Sequence, residues 1–159
     1  MKKYELTDET IEFYGRTLHR IRACRDFVTI AGEQVEAGDL GGFVETEKNL
    51  SHNGACWVYG NAKVFGNARV YGDAEIYGNA EIQTSQDYIT ISPIGSRNDV
   101  TTFYKTDSGI DVKCGCFNGS IEDFLKAVEE THGDNKYGKA YRAAAELAKI
   151  QIEVNENEI

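Results

Sequence analysis

Four arginines, Arg16, Arg20, Arg22 and Arg25, fall within ten residues of a chain that is otherwise acidic. Guanidinium forks match the oxygen geometry of phosphate. On a strand, Arg20 and Arg22 project from the same face. The competing reading is an exposed strand face neutralised by neighbours such as Glu5 and Glu12. A second group sits in "IGSRND" (94–99), where Ser96 and Arg97 occupy a turn whose N–H groups can cradle an anion. His132, Asn135 and Lys136 follow in a loop able to converge on that turn, with ordinary turn and cap chemistry as the alternative. Trp57 is the best stacking platform in the chain. Arg20, Arg22, Trp57, Ser96, Arg97 and His132 are therefore the candidate binding set, and a phosphate-bearing ligand is the chemistry they suit.

Other reactive residues carry less. "CGC" places Cys114 and Cys116 two residues apart, but a zinc site normally needs four ligands. On a strand both thiols point inward with Ile110 and Val112, as buried structural cysteines. No nucleophile–base pair stands out, so no catalytic residue is assigned. No metal and no cofactor is expected.

The elements that must position these residues are set by a repeat. From Gly54 run five hexads, GACWVY, GNAKVF, GNARVY, GDAEIY and GNAEIQ. The fifth position is always β-branched (Val58, Val64, Val70, Ile76, Ile82) and the third always small (Cys56, Ala62, Ala68, Ala74, Ala80). A flat sheet would alternate with period two. A large apolar residue every sixth position, with a Gly-Asn corner between, makes each hexad a short strand and a sharp turn. Three such sides close a coil, so residues three hexads apart stack: Lys63 over Glu81, Trp57 over Glu75, Tyr59 over Tyr77. Val44 precedes Val58 by two residues more than two hexads allow, which calls for a two-residue insertion.

The hexads resemble the signature of left-handed parallel β-helices. The expected fold is mainly β with an α+β C-terminal part: a short left-handed parallel β-helix, capped by an N-terminal hairpin and by a C-terminal β-meander with two helices. The hairpin is read in 11–27, turning at Tyr14-Gly15-Arg16. A composition change near Gln83–Asp87 divides the chain into 1–83 and 84–159. In the second part "DYITISPIG" predicts a strand, and the next segment a hairpin turning at Asp107-Ser108-Gly109. A helix then opens at the N-cap Ser120, with Asp123 completing the box, and stops at Gly133. Its apolar face is Ile121, Phe124, Leu125 and Val128. A second helix covers about 137–152 with Tyr141, Ala144, Ala145 and Ala148 on one side, and the tail VNENEI frays. So short a stack leaves strand ends uncovered, and Tyr59, Phe65, Tyr71 and Tyr77 face outward, so a homo-oligomer is expected.

Composition narrows the function. The chain has 159 residues, 41 % of them hydrophobic, and a net charge of −9. Such charge disfavours duplex nucleic acid and anionic membranes as partners. With no signal-peptide core and no membrane-length apolar run, a cytoplasmic location, in a host cell, with reduced thiols is expected.

Residues 3–62 resemble the head of hexapeptide-repeat proteins encoded by phages and prophages, and 109–150 resemble a small domain from the same setting. The resemblance implies a phage accessory protein and carries over no catalytic residue. The expected function is non-enzymatic binding in counter-defence, by sequestering a nucleotide-type signal or by inhibiting a host defence protein. A virion scaffold is one alternative. A hexapeptide-repeat acyltransferase is another, against which stand a short array and three histidines (His19, His52, His132), none of them in the regular repeat.

Overall fold

The computed structural model describes residues 2–154. Of the tail VNENEI (154–159), where fraying is expected, residues 155–159 lie outside them, and Val154 packs against the C-terminal core. The chain opens with a long hairpin, β1 (Tyr4–Phe13) and β2 (Arg16–Ala23), joined at Tyr14-Gly15 as the sequence predicts. Short strands follow: β3 (Phe27–Val28), β4 (Gln34–Val35), β5 (Leu40–Val44), β6 (Trp57–Val58), β7 (Lys63–Val64), β8 (Glu75–Ile76) and β9 (Glu81–Ile82). The second half contains β10 (Tyr88–Ile94), β11 (Asp99–Thr106), β12 (Gly109–Cys114) and β13 (Phe117–Ser120), then helices α1 (Ile121–His132) and α2 (Lys136–Gln151).

The local content of the hexads is realised. Gly54, Gly60, Gly66, Gly72 and Gly78 all have positive φ, between 56° and 76°, the conformation that a side chain resists. The β-branched column from Val58 to Ile82 is fully buried, and Cys56 with its four alanines is at most 1 % exposed. Lys63 pairs in parallel with Glu81 and Trp57 with Glu75, the predicted three-hexad register. Val44 and Leu50 instead meet Val64 and Val70, twenty residues ahead, which places the two-residue insertion between Leu50 and Trp57.

The architecture corrects the expectation of a parallel β-helix. The strands form separate small sheets: a five-stranded sheet in the order β1-β2-β5-β7-β9, a four-stranded antiparallel meander β10-β11-β12-β13, and two two-stranded sheets, β3-β4 and β6-β8. The physical reason is ladder length. Each hexad lends a ladder at most two residues before its left-handed glycine turns the chain away. Near Val70 only an isolated bridge to Leu50 forms. The largest sheet is mixed, because β5 continues sideways into the antiparallel β2 and β1. The N-terminal hairpin, the meander and both C-terminal helices agree with the sequence reading. No described helix is long and apolar enough to cross a membrane.

The C-terminal elements follow their local signals. Ser120 caps α1 through Asp123 N–H, and Gly133 closes it at φ 56°. Ile121, Phe124 and Val128 are buried, as are Tyr141, Ala144, Ala145 and Ala148 of α2. This layer packs on Phe103, Ile110 and Val112 of the meander. The aromatic column does not face outward as a unit. Phe65 is buried against Leu18 and Phe43, and only Tyr71 is largely exposed.

A polar network ties the two halves together. The rings of Tyr59 and Tyr77 stack at 4.0 Å. Tyr77 donates to Glu33, in the turn between β3 and β4. Lys113 of β12 pairs with the same carboxylate at 3.2 Å and donates to the Gly115 carbonyl at 2.7 Å. Burial alone would raise the Glu33 pKa, but the hydrogen bonds from Tyr77 and Lys113 outweigh it and hold the carboxyl below the ordinary value of 4.5. A depressed folded-state pKa contributes stability that is fully present above the unfolded value and is lost as pH falls through the folded one. Glu75, raised by its burial, acts in the opposite sense. Acid-limb melts of Glu33→Gln should therefore be flatter than wild type below about pH 5. Parallel profiles would show that the pair does not join the halves energetically.

Candidate functional site

Three chain segments meet at the helical end of the meander. The first is the turn between β10 and β11, residues 95–98, which holds Ser96 and Arg97. It begins at Gly95, where φ is +80° and a Cβ would lie 1.9 Å from the Tyr141 hydroxyl. The turn is thus seated directly against α2. The second segment is the two-residue loop Gly115-Cys116, closed by pairing of Cys114 with Phe117. Gly115 takes the positive φ (56°) that the first position of such a loop favours. The third is the last turn of α1, with Thr131 and His132.

These segments enclose a cleft of about 200 Å³, lined by Ser96, Arg97, Asp99, Cys114, Gly115, Cys116, Thr131, His132 and Tyr141. A smaller apolar groove of about 120 Å³ adjoins it, sharing Cys114, Thr131, His132 and Tyr141 and adding Phe117, Phe124, Ala127 and Val128. Three of the six sequence-chosen residues, Ser96, Arg97 and His132, therefore meet in one place. Arg97 makes no hydrogen bond or ion pair among the described residues, and it is exposed. A guanidinium without a protein partner has its donors available to a ligand.

The floor of the cleft is held in place. Thr101 donates to Cys114 Sγ at 3.2 Å, and the Cys114 thiol reaches the Tyr141 hydroxyl at 3.7 Å. His132 stacks on Tyr141 with ring centroids 5.7 Å apart. Burial, reinforced by Cys114, pushes the Tyr141 hydroxyl above the ordinary tyrosine range, so it stays protonated at neutral pH. Among the described residues no hydrogen bond joins His132 to Cys114 or Cys116, and no cluster of three His, Cys, Asp or Glu is arranged to hold a metal.

The other three candidates lie elsewhere. Arg20 is committed to the fold: it donates to Glu9 at 2.6 Å, to the Gly41 and Gly60 carbonyls at 2.8 and 3.1 Å, and lies over the Phe43 ring. Arg22 pairs with Glu5, as the exposed-strand reading held. Trp57 is 1 % exposed and packs edge-on against Phe27 and Tyr4, so it offers no ring face to a ligand. A β-helix would have set its column outward, whereas here Tyr4 of β1 and Phe27 of β3 cover it.

The cysteine reading also changes. Cys114 is only half-buried and Cys116 is exposed. The strand ends at Cys114, so the inward alternation never reaches Cys116. Gly115 ahead of it was the usable signal, since Gly followed by another residue between two strands marks a hairpin loop. Asp99 and Tyr141 were missed because one ends a turn and the other reads as core.

A larger cleft of about 580 Å³ lies between the tip of the first hairpin and the meander, lined in part by Tyr14, Arg16, Phe65, Lys105 and Asp107. Its arginine is already paired with Glu45 at 2.9 Å. The first cleft, by contrast, pairs an unengaged guanidinium with hydroxyl, imidazole and carboxylate groups. Fold and cleft together define a mainly β protein whose helical end carries a small polar cleft. Compared with known proteins, the chain matches no family model and no curated protein.

Proposed function

We propose that this chain is a binding protein for a phosphate-bearing small molecule of nucleotide type, held in the cleft between the 95–98 turn and the end of α1. The observation that carries this reading is the convergence of Ser96 and, from a separate segment, His132 on Arg97, whose guanidinium makes no hydrogen bond or ion pair among the described residues. The guanidinium and the Ser96 hydroxyl suit phosphate oxygens. The Asp99 carboxylate suits the hydroxyls of a sugar, and the adjoining groove with Phe117 and Phe124 suits a base or other flat apolar group. The resemblance of 3–62 and 109–150 to phage-encoded proteins supports a counter-defence setting, in which holding such a signal unchanged removes it from its receptor.

Isothermal titration with a panel of nucleoside monophosphates and cyclic nucleotides tests the reading, with inorganic phosphate as the minimal ligand. Arg97→Ala should weaken binding about tenfold to a hundredfold, the worth of one charge-assisted phosphate contact. Arg22→Ala, on a surface remote from the cleft, should leave it unchanged. Equal loss in both variants, or no binding by the wild-type protein, would overturn the assignment. Recovery of the bound ligand in altered form would make the protein an enzyme instead.

A further inference from the structure

Lys3 has no exposed surface, and among the described residues it has no carboxylate partner. Its Nζ donates to the Cys56 carbonyl at 2.6 Å, lies 3.4 Å from the Gly54 carbonyl, and approaches Cys56 Sγ at 3.4 Å. The Phe27 ring lies on another side of it, 5.3 Å away at the centroid. Cys56 is equally buried, and its thiol also faces the carbonyls of Ser51, Asn53 and Val70, at 3.7 to 3.8 Å. An ammonium buried without a counter-charge is costly. Accordingly, burial lowers the Lys3 pKa and raises that of Cys56, so both groups are drawn toward their neutral forms. In its neutral form the amine has a free lone pair, and its nitrogen lies 3.4 Å from a sulfur atom.

We propose that Lys3 and Cys56 are an oxidative cross-linking site, at which hydrogen peroxide joins Nζ to Sγ by a sulfur–nitrogen bond. In the first step the Cys56 thiol passes its proton to the adjacent Nζ, the thiolate sulfur takes one peroxide oxygen as the O–O bond breaks, and the departing hydroxide takes that proton back as water, leaving Cys56 a sulfenic acid and Lys3 a neutral amine. Such an acid normally condenses with a second thiol or with a nitrogen. No other cysteine contacts Cys56 among the described residues, and the Lys3 amine does. In the second step Nζ attacks sulfur, the S–O bond breaks, and the departing hydroxide leaves as water with one amine proton. Sulfur gives up two electrons, which the peroxide accepts, and the balance is one amine, one thiol and one peroxide to one S–N link and two waters. The link ties the residue before β1 to the first hexad. It constrains the unfolded chain much as a disulfide across the same loop would.

The test is peptide mass spectrometry of the full chain after graded hydrogen peroxide, digested without reductant. The expected result is a cross-linked pair of peptides, one holding Lys3 and the other Cys56, lighter than their sum by two hydrogens. The link should disappear on treatment with dithiothreitol, and the oxidised protein should melt at a higher temperature before that treatment than after it. Lys3→Arg should abolish the link and leave Cys56 to run on to sulfinic acid. Because the wild-type spectrum is decisive, the test does not depend on that variant folding. Cys56 recovered unlinked, whether as free thiol or as sulfinic acid, under conditions that oxidise the exposed Cys24 and Cys116, would overturn the proposal.

Discussion

Val70→Asp is expected to unfold the hexad region, at a cost above about 4 kcal/mol, the range reached when an unpaired charge enters a packed core. Val70 is fully buried, midway along a column whose other members, Val58, Val64, Ile76 and Ile82, are equally inaccessible. Its backbone also carries the bridge to Leu50: Ser51 N–H donates to the Val70 carbonyl at 2.8 Å, and Val70 N–H donates to Asn49 O at 2.9 Å. A carboxylate there would have no donor to meet it. The adjacent residue gives the control. Arg69 is exposed, and among the described residues its hydrogen bonds are made by its backbone, with Ser85 and Tyr88. Arg69→Asp should therefore change stability by less than about 0.5 kcal/mol, as surface substitutions usually do. Urea melts of both variants make the comparison, and similar midpoints would show that the column is not the core.

Gly95→Ala should be the most damaging change near the cleft. Two costs add. The backbone at φ +80° resists any side chain, which costs about 1–2 kcal/mol. The new Cβ also falls 1.9 Å from the Tyr141 hydroxyl and 2.7 Å from its ring carbon, and overpacking of this kind costs about 1–3 kcal/mol. Gly60→Ala separates the two, since Gly60 has a similar φ of +56° but nothing within 4 Å of the added carbon. It should show the backbone cost alone. Because the displaced turn carries Ser96 and Arg97, Gly95→Ala should also lose phosphate affinity, whereas Gly60→Ala should keep it. If Gly95→Ala melts and binds like Gly60→Ala, then Tyr141 does not seat the turn, and the cleft is not held as described.

Some of the cleft was legible in the sequence because its parts are local. A turn at 94–99 follows from Gly95 and Asn98, which both take positive φ. The end of α1 follows from Gly133, and the start of α2 from Asn135, whose side chain accepts Gly138 N–H at 3.0 Å. Those signals put Ser96 and Arg97 in a turn, where side chains are free for ligands, and His132 in the loop after α1, whereas the structure keeps it as the last residue of that helix. Nothing in the pattern gave the distance between the loops. The same limit misplaced Trp57, whose position in its hexad was correct but whose cover, Tyr4 of β1 and Phe27 of β3, comes from another part of the chain.

The sequence by itself determined what depends on a residue and its near neighbours: the glycine corners, the two buried columns, the three-hexad register, the hairpin turns and the helix caps. Each is a backbone preference or a short period, and neither needs a distant partner to act. Only the tertiary structure decided how the short ladders divide into separate sheets, and which arginine is used by the fold. It also decided that a lysine two residues from the start is buried against a cysteine. Those outcomes depend on which surfaces remain uncovered once all the elements compete to be buried, and that competition has no signature in any single stretch of residues.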